Sequence, residues 1–315
     1  MSDTVLSIVI PCYDEEAVLR ETNRRLTQLL DKLMTDGMVS PESYLLYVDD
    51  GSKDGTWPLI MRFHQDGRMV RGLKLAGNVG HQYALVAGLE QAVTDADAMI
   101  TIDADLQDDV DVIPEMLKRF ADGTDIVYGV RQRRDSDTSF KRFTAQGFYK
   151  FMEKMGVKTV YNHADFRLMS RRAVEGLLQY KERNLFLRGI VPKIGYKSDC
   201  VYYDRMERLA GESKYTLGKM LGLALDGITS FSTRPLRLIM WLGVAFIVIA
   251  LGILAYVIIA MCMGRQVAGW ASLMMSVWFV GGCILVCLSI MSEYVGRIFI
   301  ESKQRPRYII EDYLK

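Results

Sequence analysis

The chain lacks several common signatures, and each absence narrows what it can be. Its five cysteines, Cys12, Cys200, Cys262, Cys283 and Cys287, form no Cys-x-x-Cys pair, which argues against a zinc site or a disulfide framework. No Gly-x-Gly-x-x-Gly fingerprint occurs, so a nicotinamide or flavin site has no support. No Gly-x-x-x-x-Gly-Lys-Ser/Thr loop occurs either, which disfavours a kinase or ATP-driven motor of that type. Charge is missing from one long region: between Leu238 and Ser292 the only charged residue is Arg265.

That gap in charge is informative because 24% of the 315 residues are charged overall. The stretches 238–263 and 269–291 are each long enough to cross a hydrocarbon core of about 30 Å, and neither has a polar face. Gly264-Arg265-Gln266 between them reads as the turn of a two-helix transmembrane hairpin. Arg234 and Arg237 precede the first span, and Arg297, Lys303, Arg305 and Arg307 follow the second. The positive-inside rule then puts both termini and the large N-terminal part in the cytoplasm. Residues 1–4 are too short for a cleaved signal, and the apolar run 5–10 has the length of a strand. The net charge of +1 averages two very different regions and says little.

The remainder alternates strands and helices. Residues 5–11, 44–48, 70–75, 98–102 and 125–129 read as strands. Val18, Leu26, Leu29, Leu30 and Leu33 recur at helical spacing within 15–34, and further helices are expected after Asp54-Gly55-Thr56, over 82–93 and over 112–120. Such alternation indicates a mostly parallel sheet with helices on both faces. Ligands of such sheets sit beyond the carboxyl ends of the strands.

The unusual motifs fall at those ends. The first strand leads into Pro11-Cys12-Tyr13-Asp14-Glu15, and the second into Asp49-Asp50-Gly51-Ser52. The third is followed by Gly77-Asn78-Val79-Gly80-His81-Gln82, which opens a helix, and the fourth by Asp103-Ala104-Asp105-Leu106-Gln107. A carboxylate can accept a uracil N3–H, and an aromatic ring can stack on the base. A glycine-bearing helix start allows close approach of phosphate. Two carboxylates one residue apart, with the oxygen of Gln107 nearby, suit a hard divalent cation. Each motif alone is compatible with a simple turn. Their joint placement is the stronger signal.

These motifs resemble those of the inverting family 2 glycosyltransferases of GT-A fold, close to the polyprenyl-phosphate branch that includes bactoprenol glucosyltransferases and dolichol-phosphate mannose synthases. The resemblance extends through Asp165-Phe166-Arg167-Leu168-Met169-Ser170-Arg171, Glu182-Arg183-Asn184-Leu185-Phe186 and Gly189. It continues in Gly211-Glu212-Ser213-Lys214-Tyr215, Ser230-Phe231-Ser232-Thr233-Arg234-Pro235-Leu236-Arg237 and Glu293-Tyr294-Val295-Gly296-Arg297-Ile298, which match the bacterial branch. Asp14 stands where asparagine is usual, and Ala164 where glycine usually precedes the aspartate.

The resemblance implies an α/β catalytic domain over 1–212, an interfacial segment over 213–235, two spans over 236–292 and a cytoplasmic tail over 293–315 in a bacterial inner membrane. It implies a nucleotide-sugar pocket of Pro11, Tyr13, Glu15 and Asp50, with Asp50 on the uracil N3–H and Asp103 near the ribose or donor sugar. Asp105 with Gln107 would hold Mg²⁺ or Mn²⁺. The donor would be a UDP-sugar, glucose favoured, and the acceptor undecaprenyl or another polyprenyl phosphate. N-acetylglucosamine, a modified arabinose or GDP-mannose remain alternative donors. Asp165 is the family's candidate base; its other reading is to position Arg167 by an ion pair. Arg131, Arg183, Arg188, Arg205, Arg208 and Lys214 are candidates for the acceptor phosphate, although Arg131 can equally be a solvated cation beside Arg133 and Arg134. A helix over 215–232, basic on its approach and apolar beyond, reads as interfacial. A homo-oligomer, up to a tetramer, is implied, and no nucleic-acid partner is expected. Processive polysaccharide synthases of the same family carry Gln-x-x-Arg-Trp, and no tryptophan here follows an arginine. A non-catalytic membrane protein is the rival from another class. Spans with no acid or base at their centre make a poor transport path.

Overall fold

The computed structural model describes residues 3–131, 163–183, 185–204, 234–263 and 269–315. Two units result. One comprises Met1–Tyr149, Lys158–Tyr215 and Arg305–Lys315, the other Lys150–Val157 and Thr216–Gln304. Arg205, Arg208 and Lys214, and the expected interfacial helix over 215–232, lie outside the described residues.

The first unit is organised by β1 (Leu6–Cys12), a run of apolar and β-branched residues buried along its whole length. Burial on both faces is what a central strand of a parallel sheet requires. Each fully buried leucine or isoleucine there contributes about 1.5–3 kcal/mol. β2 (Tyr44–Asp49) and β4 (Ala98–Thr101) flank β1 in parallel, and β3 (Val70–Leu75) extends β2 in parallel. Between them run α1 (Glu16–Thr35), α2 (Thr56–Asp66) and α3 (His81–Ala92), so each crossover is helical. α1 buries Val18, Leu26, Leu29, Leu30 and Leu33, the five residues whose spacing predicts it.

A short 3₁₀ turn (Val110–Val112) leads into α4 (Ile113–Ala121) and β5 (Ile126–Arg131). β6 (His163–Ser170) then enters antiparallel between β4 and β5. α5 (Arg171–Leu178), capped by the Ser170 hydroxyl, the short α6 (Leu187–Ile190) and β7 (Ser198–Tyr203) complete this half. The sheet order is β7-β5-β6-β4-β1-β2-β3-β8. Its mostly parallel character matches expectation, and β6 is the reversal that matters. Thr101 of β4 pairs with Arg167 of β6, so the chain leaving β4 meets the chain entering β6 at the carboxyl edge of the sheet.

The edge strand β8 (Ile310–Leu314) comes from the segment read as a tail, and pairs antiparallel with β3. In the second unit, α7 (Arg234–Cys262) has 29 residues and α8 (Trp270–Ser302) has 33. At ~1.5 Å per residue both exceed the length of a hydrocarbon core. Phe246 and Phe279 meet edge to face at 5.8 Å between ring centroids. α8 continues past the expected end at 291, where Glu293 and Arg297 form a same-face ion pair at 3.0 Å that favours helix. Among the described residues one segment, Phe279–Ser302, is long and apolar enough to cross a membrane, and none of it is buried. Ile239–Ile253 of α7 is a shorter apolar stretch.

Candidate active site

The first two strand ends are laced together by reciprocal hydrogen bonds. The Asp14 amide donates to the Ser52 hydroxyl at 3.0 Å, and the Lys53 amide donates back to Asp14 at 2.7 Å. The Glu16 amide donates to Asp54 at 3.1 Å, and the Gly55 amide donates to Glu16 at 2.9 Å. The Glu15 amide donates to the Thr56 hydroxyl at 2.9 Å. Asp14 adopts φ 53°, a left-handed conformation that an aspartate tolerates. Tyr13 is left 37% exposed at the mouth of this double loop, and Pro11 is buried beneath it.

Asp50 is buried and faces the next loop. Its two carboxylate oxygens accept the Val79 amide at 2.7 Å and the Gly80 amide at 2.9 Å. Gly51 makes this possible: it sits at φ 69°, and a Cβ there would lie 2.7 Å from the Asn78 nitrogen. Gly80, at φ 95°, then turns the chain into α3 and presents His81 as its first residue. Burial raises the Asp50 pKa from its ordinary value, and the two amide bonds only partly offset it.

The turn after β4 is anchored from α1, where the buried Thr22 hydroxyl donates to the Ala104 carbonyl at 2.6 Å. Leu106 takes φ 48°, a left-handed conformation that costs a leucine about 1–3 kcal/mol. The strain lets Asp103 and Asp105 remain half-exposed while Leu106 and Gln107 turn inward. The Gln107 amide donates to Asp105 at 3.3 Å. Burial, aided by Asp165, Asp108 and Asp105 and opposed by His81, pushes Asp103 up to about 6. The half-exposed Asp105 fits a hard cation that draws its other ligands from phosphate, whereas Gln107, expected to share the ion with it, is buried. Among the described residues no three His, Cys, Asp or Glu side chains converge as a complete cage.

Facing this turn is a cluster of opposite character. Asp165 on β6 accepts from Arg167 at 2.7 Å and from Arg188 of α6 at 3.1 Å. The His81 Nε2 lies 3.6 Å from both Asp103 and Asp165, bridging the two carboxylates. Burial works to raise the Asp165 pKa, but Arg188, His81 and Arg167 outweigh it and hold the carboxyl well below its usual range. Burial works to lower the His81 pKa, and Asp165 and Asp103 outweigh it and raise it. Arg167 is 1% exposed, and its Nε and Nη1 find no hydrogen-bond partner among the described residues. α3 also holds the segment that carries Arg188: the Leu187 amide donates to the Gln82 side chain at 2.8 Å, and the Tyr83 hydroxyl donates to the Arg183 carbonyl.

The family model described as glycosyl transferase family 2 matches residues 7–178, more than half of the chain. The chain belongs to this family. An uncharacterized glycosyltransferase of Bacillus subtilis, YkoT, is 52% identical over 98% of this chain and 92% of its own length. The bactoprenol glucosyl transferase of Shigella phage SfV is 40% identical over 98% of both chains. The solved structure of mannosyl-3-phosphoglycerate synthase from Rubrobacter xylanophilus superposes with a TM-score of 0.49 at 17% identity, covering 74% of each chain.

In this family 2 glycosyltransferase, the structure brings Tyr13, Glu15, Asp50, Asp103, Asp105, Asp165 and Arg188 to one edge of the sheet. Arg183 lies on the same segment as Arg188. Arg131 is placed differently: it ends β5 and makes hydrogen bonds of 2.9 and 2.6 Å to the buried Asp108, which also accepts from the Tyr203 hydroxyl. Asp108 and the bridging His81 escaped notice as site residues. A third aspartate right after Asp-x-Asp-x-x was a signal for the first. For the second, the signal was a histidine at the first position of a helix that follows a glycine-bearing loop.

Proposed function

We propose that the protein transfers a sugar, glucose favoured, from a UDP-sugar to undecaprenyl phosphate at the cytoplasmic leaflet, with inversion at the anomeric carbon. The observation that carries this reading is the opposition of two half-sites. A half-exposed acidic turn, Asp103 and Asp105, faces Arg188 and His81, which are held by Asp165. The relatives whose names specify bactoprenol glucosyl transfer support the lipid acceptor. The long apolar α8 supports attachment to a membrane, and α7 completes the hairpin in this reading.

The mechanism follows from charge. Tyr13 stacks on the base, and Asp50 fixes the loop that closes the nucleotide pocket. Asp105, whose carboxylate accepts the Gln107 amide, would hold Mg²⁺ or Mn²⁺, and the ion would supply positive charge against the departing diphosphate. Arg188 and His81 draw the acceptor phosphate to the face opposite the nucleotide. A phosphate monoester has a second pKa of about 6, so its oxygen is already ionised at neutral pH. It attacks the anomeric carbon as the bond to the diphosphate breaks. No proton needs to be removed, which suits Asp165, a carboxylate that Arg188, His81 and Arg167 hold well below its usual range. Its role is to orient Arg188, Arg167 and His81.

The test is transfer by purified protein in detergent from a panel of radiolabelled nucleotide sugars to undecaprenyl phosphate. A lipid-extractable product from one donor, lost on adding chelator, supports the reading. Slow release of free sugar without a lipid product would remove the polyprenyl phosphate acceptor from it.

A further inference from the structure

The chain beyond α8 returns to the catalytic unit. Arg305–Lys315 belongs to that unit although it follows the second long helix in sequence. β8 is held on β3 by Lys74–Glu311 at 2.8 Å, Lys315 pairs at 3.0 Å with Asp95 in the turn after α3, and the Ala76 amide donates to the Ile309 carbonyl at 2.9 Å. The Tyr308 hydroxyl donates to Glu90 of α3. With the tail thus fixed in register, the half-buried Arg307 guanidinium donates to the Tyr180 carbonyl, and to the Glu182 carbonyl at 3.2 Å. These carbonyls open the segment that runs through Arg183 and Leu187 to Arg188, the residue bonded to Asp165.

Among its described residues that segment contains little regular structure of its own. Outside the four residues of α6, its backbone is held by side chains: Gln82 and Tyr83 of α3 at one end, and Arg307 at the other. A single guanidinium nitrogen, Nη2, bonds both carbonyls, and this charge-assisted contact holds residues 180 and 182 against the tail. We infer that Arg307 is a positioning residue for the acceptor half-site. It ties the chain emerging from the second long helix to the loop that aims Arg188 at Asp165. The inference rests on the acceptor reading proposed above. By this route the anchoring of the C-terminal tail sets the geometry that the acceptor phosphate meets, and the donor pocket is untouched.

The experiment compares the full-length protein with Arg307→Ala, Arg307→Lys and Glu311→Gln, in detergent with UDP-glucose and undecaprenyl phosphate. Arg307→Ala should raise the acceptor KM about tenfold with the donor KM unchanged, and Arg307→Lys should restore part of it. Glu311→Gln removes one exposed ion pair but leaves the β3–β8 backbone ladder and those carbonyls in place, and should leave both constants at wild-type values. Amide hydrogen exchange, which needs no acceptor, is read in parallel: exchange at Leu187, Gly189 and Ile190 should speed up in Arg307→Ala only. Equal loss in all three variants, or a donor KM that rises in step, would reduce Arg307 to general stability and overturn the inference. Unchanged exchange at those amides would overturn it whatever the activity. A wild-type protein that makes no lipid product, with exchange behaving as described, would instead fault the acceptor reading alone.

Discussion

Asp50 and Asp165 are both carboxylates at the carboxyl edge of one sheet, yet their surroundings drive them in opposite directions. Asp50 is satisfied by two backbone amides, and burial raises its pKa. Asp165 is satisfied by two guanidiniums and faces a histidine, and these hold its pKa far down despite burial. In the proposed reading the donor side is a lattice of short-range hydrogen bonds with fixed geometry, and the acceptor side is an ion cluster whose members would exchange partners when a phosphate arrives. A pocket for a neutral base calls for the first, and a site for a mobile anion calls for the second.

The largest effect should come from the turn that serves both sides. Asp105→Ala is expected to lower kcat by about 10²–10³-fold, the scale of losing a main electrostatic group, without unfolding the protein. Retention of its thermal midpoint beside the lost turnover checks this.

Next come two substitutions that should split the sides. Arg188→Ala removes a charge-assisted hydrogen bond worth about 1.5–3 kcal/mol and should raise the acceptor KM by about tenfold or more. The donor KM should stay put. Asp50→Ala frees two loop amides and should do the reverse. Steady-state kinetics with each substrate varied separately gives the answer. Equal changes in both constants would dissolve the distinction between the sides.

How much of this was visible beforehand follows the same division. The strands β1, β2 and β4 and the motifs at their ends were legible because each is a short-range pattern: an apolar run, then glycine, aspartate or tyrosine. The five buried positions of α1 were legible by periodicity. β6 and β8 were not, because their place in the sheet depends on partners far along the chain, as with Thr101 and Asp165, 64 residues apart. The pairing of Arg131 with Asp108 was hidden for the same reason. A basic residue near an acceptor loop looks alike in sequence whether it meets a ligand or a buried carboxylate.

A subtler effect concerns Asp165 as a base. If it only orients cations, Asp165→Asn should keep the wild-type shape of the pH–rate profile between pH 5 and 8 while the acceptor KM rises. A variant that loses an acid limb present in the wild type would restore the base assignment.

The smallest effect is in stability, and it carries opposite signs. Asp50 has a raised folded pKa, so its protonated form favours the fold. Wild-type stability gains from it below the unfolded value of about 4 and loses that gain as pH rises through the folded value. Asp165 has a depressed pKa, so its contribution is complete above about 4 and is lost only as pH falls through the lower folded value. Thermal midpoints should show Asp50→Asn falling further behind wild type from pH 7 to pH 4. The gap for Asp165→Asn should stay constant over that range and close only in stronger acid.

The opposition of donor and acceptor sides makes one stereochemical demand. The phosphate must reach the anomeric carbon from the face away from the diphosphate, so a UDP-α-glucose donor must give a β-linked glucosyl phosphate. The anomeric coupling of the purified lipid product, read by proton and phosphorus NMR, measures this directly. A β-configured product is what this arrangement of Asp103, Asp105, Arg188 and His81 predicts. An α-configured product would mean that donor and acceptor approach from the same side, and the two half-sites would have to be redrawn.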